Sequence, residues 1–158
     1  MDVQKLERVW KRMQTAGQAP APAPPGGDTL GGLRRFITGE KSAWEALFRL
    51  SRRCREPVRT VLTRVREEKA QVLRQLQREY FLLAGDVFRP GEAKNREEGV
   101  LTTLRKLHLG ELQRAGEYRR AAEAGGGTRL PALYRRLAER EEALAGELLR
   151  LLERAMGA

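Results

Sequence analysis

Residues 36–47 read FITGEKSAWEAL, and residues 107–118 read LHLGELQRAGEY. Both stretches carry the helical period of apolar side chains, about 3.6 residues. In each, a glutamate falls on the apolar face: Glu40 in the first, Glu111 in the second. The wider faces are Leu33, Phe36, Ile37, Glu40, Trp44, Leu47 and Ser51, then Leu104, His108, Glu111, Ala115, Tyr118 and Ala122. Helices that point a carboxylate inward are unusual, and they decide the reading. An unpaired buried carboxylate is costly, so each needs a cation, a hydrogen-bond network or a proton.

Working outward, the first helix spans about 30–54 and the third about 97–123. A second helix is expected over about 57–84, with Val58, Leu62, Val65, Val72, Leu76, Tyr80 and Leu83 inward. It follows a joint at Glu56-Pro57 and stops at Gly85-Asp86. A fourth follows Gly125-Gly126-Gly127, capped at Thr128, with Leu130, Tyr134, Leu137, Leu144, Leu148, Leu152 and Ala155 inward. Glu141 lies on this face between Leu137 and Leu144, a third inward carboxylate. The 88–99 segment, FRPGEAKNREEG, is a polar connection. No segment alternates as a strand does. The expected fold is all-α: an up-down four-helix bundle over 30–158, two helix hairpins joined by a long crossover between helices 2 and 3.

The hairpins echo each other. A shift of 71 residues lays Leu33 on Leu104, Phe36 on Leu107, Gly39-Glu40 on Gly110-Glu111 and Leu47 on Tyr118. A shift of 72 lays Val58 on Leu130, Leu62 on Tyr134, Val65 on Leu137, Val72 on Leu144, Leu76 on Leu148 and Tyr80 on Leu152. Nearly the same offset serves both helices, which points to an internal duplication. Ahead of the bundle, residues 1–16 hold a short amphipathic helix with Val3, Leu6, Val9, Trp10 and Met13 on one face. Residues 17–29 form a linker rich in Pro, Gly and Ala. The helix is expected to dock on the bundle or on a second subunit, or to touch anionic lipid through Lys5, Arg8, Lys11 and Arg12.

The chain has 158 residues, 31 Lys and Arg against 21 Asp and Glu, and one cysteine. One domain plus an extension fits that length. A disulfide-stapled secreted framework is excluded. No apolar run is long enough to span a bilayer. The N-terminus lacks the apolar core of a secretion signal, so a cytoplasmic location is expected. Arginine supplies 25 of the cations, clustered as Arg49, Arg52, Arg53, Arg55 and Arg59 near the first joint. Such a patch suits phosphates, but no aromatic residues interleave it and no DNA-reading motif accompanies it. Cys54 stands among these arginines, which favour a thiolate; packing on a helix face is the other reading. Trp44 and Tyr118 read as core.

The fold pattern resembles the ferritin-like superfamily, specifically rubrerythrin-like proteins, over about residues 30–156. The carriers are Ile37-Thr38-Gly39-Glu40-Lys41-Ser42-Ala43, Arg66-Glu67-Glu68-Lys69-Ala70 with Leu83-Ala84-Gly85-Asp86, Gly110-Glu111 with Tyr118 seven residues on, and Arg140-Glu141-Glu142-Ala143. The resemblance implies a di-iron site in which helices 1 and 3 each give a Glu and helices 2 and 4 each give Glu-x-x-His. Glu40 and Glu111 fill the first pair of positions. Helix 4 offers Glu141, but Leu144 where the His belongs. Helix 2 offers Lys69 for the Glu and Val72 for the His. Leu47 replaces one aromatic often found near the metals, and Tyr118 keeps the other. Another register uses Glu68 with Gln71 and Glu142 with Ala145, and it also lacks both histidines. His108, the one histidine, is one turn before Glu111 and off the motif; a ligand role and a hydrogen-bonded place at the core edge both stay open.

These departures set the functional expectation. Lys69 is read as a charge substitute for the metal, offsetting Glu40, Glu111 and Glu141, with one carboxylate free to keep a proton. No cofactor and no catalytic residues are expected. The chain then serves as a structural or interaction module, with a homodimer or another protein as partner. Two alternatives remain: an iron or manganese site built on carboxylates that handles metal or peroxide, and a basic bundle that binds nucleic acid.

Overall fold

The computed structural model describes residues 28–94 and 96–157. The N-terminal helix and nearly all of the expected linker lie outside them. Four helices make up the regular structure of the described residues: α1 (Thr29–Arg53), α2 (Val58–Ala84), α3 (Val100–Ala124) and α4 (Arg129–Gly157). The all-α four-helix expectation is met, and no strand occurs among the described residues. Two boundaries move. Thr29, placed in the linker, is the first residue of α1, and α3 starts at Val100 rather than near 97.

Local chemistry sets the ends. Arg52 and Arg53 sit in the last turn of α1, where cations meet the negative end of the helix dipole. Arg59 Nε reaches back to the Ser51 and Cys54 carbonyls at 3.2 and 3.0 Å, satisfying acceptors the helix leaves open. α2 ends on Gly85 at φ 71°, a left-handed conformation that glycine adopts without a Cβ penalty. Its N–H closes on the Phe81 carbonyl at 2.8 Å.

Two apolar clusters fill the bundle. One joins Leu33, Phe36 and Ile37 of α1 to Val72, Leu76 and Tyr80 of α2, Tyr118 and Ala122 of α3, and Leu133, Tyr134, Leu137 and Ala138 of α4. Its rings stack closely, Phe36 on Tyr118 at 4.2 Å between centroids. The other joins Leu47 and Leu50 of α1, Leu62 and Val65 of α2, Leu104 and Leu107 of α3, and Leu144, Leu148, Leu151 and Leu152 of α4. The clusters mark the bundle's two ends. α1 and α4 run from the first to the second; α2 and α3 run back. Helices α2 and α3 are therefore parallel, and the 85–99 crossover must travel the length of the bundle. It lies along α1, with Lys41 Nζ on the Pro90 carbonyl at 3.2 Å and Arg53 Nη1 on the Glu98 carbonyl at 2.7 Å.

The correspondence between the hairpins extends to the packing. Leu33 and Leu104, Glu40 and Glu111, Leu62 and Tyr134, and Val72 and Leu144 are each buried as pairs. Leu33 belongs to the first cluster and Leu104 to the second; Tyr134 belongs to the first and Leu62 to the second. The repeat thus exchanges the two ends, which places its two-fold axis across the middle of the bundle.

Two positions read as inward are exposed. Leu83 is 53% exposed, because Tyr80 already meets Arg34 near the start of α1 and the last turn of α2 has little left to pack on. Ala155 is exposed near the end of α4.

Candidate functional site

Between the apolar clusters, each helix contributes one fully buried charge: Glu40 from α1, Lys69 from α2, Glu111 from α3 and Glu141 from α4. Lys69 Nζ donates to Glu40 Oε2 at 2.9 Å, and also to Glu111 Oε2 and Glu141 Oε2. An ammonium has three protons, and here three carboxylates take them. Tyr118 donates its hydroxyl to Glu40 Oε1 at 2.8 Å. Burial raises that phenol well above its ordinary range, and the Glu40 charge raises it further, so it stays a donor.

Arg114 is the residue that sequence reading missed. Its Nη2 donates to Glu111 Oε1 at 2.9 Å, and its Nε lies 3.6 Å from Glu40 Oε1. Burial opposes its charge, but Glu111 and Glu40 outweigh burial and raise its pKa. Two signals pointed to it. It follows Glu111 by three residues, a spacing at which helical side chains meet. One lysine against three carboxylates also left two negative charges to explain.

The full set holds three carboxylates and two cations, formally one negative charge in excess. Burial pushes the Glu111 carboxyl up; Lys69 and Arg114 pull the other way without cancelling it. Glu141 Oε1 is buried without a hydrogen-bond partner. Glu141→Gln therefore removes a charge the cluster does not balance, while an amide oxygen still accepts from Lys69. Its thermal stability should stay within about 1 kcal/mol of the parent. A loss of several kcal/mol in calorimetry would show that the full charge is required.

The other named positions sort clearly. Val72 and Leu144 are buried at 0 and 1% exposure, one turn from Lys69 and Glu141. Glu68 stands apart, half-buried and 3.9 Å from Arg140, which also holds Gln71. Glu142 is on the surface with Arg119. His108 is half-buried, and its Nδ1 lies 2.8 Å from the Ala145 carbonyl, so that nitrogen carries the proton. Cys54 packs in the second cluster; burial raises its thiol pKa more than Arg53 and Arg59 lower it, contrary to thiolate activation. Trp44 is half-buried rather than core. A side chain as large as an indole is seldom fully enclosed, and here the Arg66 guanidinium sits 5.8 Å above it.

Iron or manganese fits this donor set poorly. The Lys69 ammonium already sits among the three carboxylates, where a cation would be held. Each of their oxygens except Glu141 Oε1 already meets Lys69, Arg114 or Tyr118. Aliphatic Val72 and Leu144 stand where the resemblance would call for imidazoles. Among the described residues, no group of three or more His, Cys, Asp or Glu side chains is arranged to hold a metal ion. No helix among them is long and apolar enough to cross a membrane. No protein-family model, no curated protein and no solved structure matches the chain.

Proposed function

We infer that this chain is a ferritin-like bundle in which a lysine-centred ion cluster stands in place of a di-iron centre, and that it works as a structural or interaction module. The observation that carries the reading is Lys69, whose ammonium meets one carboxylate from each of the other three helices. Its repeat counterpart at an offset of 72 is Glu141. One half of the duplication supplies a cation where the other supplies an anion, at the level of the two-fold axis. In a ferritin-like site both positions would be glutamates serving metal.

Elemental analysis tests this on untagged protein produced with added iron and manganese. The expected result is well-folded protein carrying far less than one metal per chain. About two metals per chain would overturn the reading and restore metal chemistry, with Lys69 displaced from the centre.

A further inference from the structure

A cleft of about 880 Å³ runs between α1, α3 and the crossover. Its walls carry Arg49, Arg52, Arg53, Lys94, Arg96 and Lys106, against the two acids Glu97 and Glu98. Those acids are engaged. Glu97 lies 3.6 Å from Arg53, and Glu98 pairs with Lys106. Arg49, Lys94 and Arg96 have no carboxylate partner among the described residues. Arg114 also lines the cleft, from the side of the buried cluster.

Two glycines that the repeat superimposes, Gly39 and Gly110, line the cleft beside Arg114, and a Cβ at either would make only ordinary contact. A Cβ at Gly110 would stand 3.6 Å from Arg114 Nη2, and one at Gly39 would stand 3.8 Å from its Cδ. Facing cations repel one another unless an anion lies between them. The lining holds no aromatic ring on which a base could stack.

We propose that this cleft binds a condensed phosphate anion, recognised by charge alone, through Arg49, Lys94 and Arg96. A surface-bound nucleic acid is the competing class. It would use cations spread over several faces, among them the exposed Arg74 and Arg78 of α2, which lie outside the cleft.

The test is calorimetric titration of the full chain with inorganic tripolyphosphate at low salt. One site per chain is expected, weakening as salt rises. Arg49→Glu with Arg96→Glu should cost at least about 30-fold in affinity, two charge-assisted contacts' worth. The charge-matched pair Arg74→Glu with Arg78→Glu should leave it within about threefold. All four residues are exposed, so neither variant threatens the fold. ATP should bind no more tightly than tripolyphosphate. Equal losses in both variants, or a multi-site isotherm, would reduce the binding to bulk charge and overturn the proposal. Tighter binding of ATP would overturn recognition by charge alone.

Discussion

Lys69→Met should destabilise the bundle by about 3–5 kcal/mol, the range for removing one partner from a buried ion cluster. In a domain this size that lowers Tm by roughly 10 °C or more. Methionine keeps most of the lysine's volume, so the loss reports charge and hydrogen bonding rather than a cavity. Three carboxylates would then face Arg114 alone.

The pH dependence separates this cause from others. Burial already raises the Glu111 carboxyl above its unfolded value. A raised folded pKa means the folded state binds the proton more tightly. The corresponding stability is complete below the unfolded pKa and lost as pH rises through the folded one. Removing Lys69 removes a charge that holds Glu111 down, so its folded pKa rises further. The deficit of the variant should be widest at neutral pH and narrow as pH falls through that raised value. Denaturant melts of both proteins from acid to neutral pH would show the narrowing. Unchanged stability at neutral pH would remove Lys69 from its central role.

The second large effect is a gain. Lys69→Glu, Val72→His and Leu144→His together would write Glu-x-x-His into α2 and α4. Arg114→Ala would take away the remaining inward cation, giving position 114 the residue that its repeat counterpart Ala43 already has. The apo protein should be weakly folded, because four carboxylates meet without a cation. Cobalt(II) should then restore it, at about two ions per chain with visible ligand-field absorption. Saturation at 1,000 times Kd adds about 4 kcal/mol of stability. A variant that neither binds cobalt in stoichiometric amounts nor gains Tm from it would count against the ferritin-like reading.

Helix periodicity made the central layer legible. Glu40, Glu111 and Glu141 announce themselves because a carboxylate on an apolar face has few explanations, and Lys69 shares the phase of Leu62, Val65 and Val72. Arg114 hides because it lies about 60° off the Glu111 direction and reaches inward along its own stem. Trp44 misleads in the opposite sense, since phase gives direction and not the depth of space available. Leu83 shows a third limit: periodicity runs on to the end of a helix even where the neighbouring helices offer little to pack against. The basic cleft was legible only in part. The sequence grouped Arg49 with the arginines of the first joint, whereas the crossover carries Lys94 and Arg96 to it from the far side of the chain.

The path of that crossover has one more consequence. It is the only covalent tie between the hairpins, and it runs over the outside of the bundle. Severed there, the chain would become two pieces that must find each other. The charged layer would tell them which piece to accept. Two copies of the first hairpin would bring two lysines to two glutamates. Two copies of the second would crowd Glu111 and Glu141, each twice over, around a pair of guanidinium groups. The mixed pair alone reproduces the lysine among three carboxylates, with Arg114 beside them. The layer is in that sense an address label written on one piece: the second hairpin, two carboxylates in excess when paired with itself, is steered toward the lysine that only the first hairpin carries.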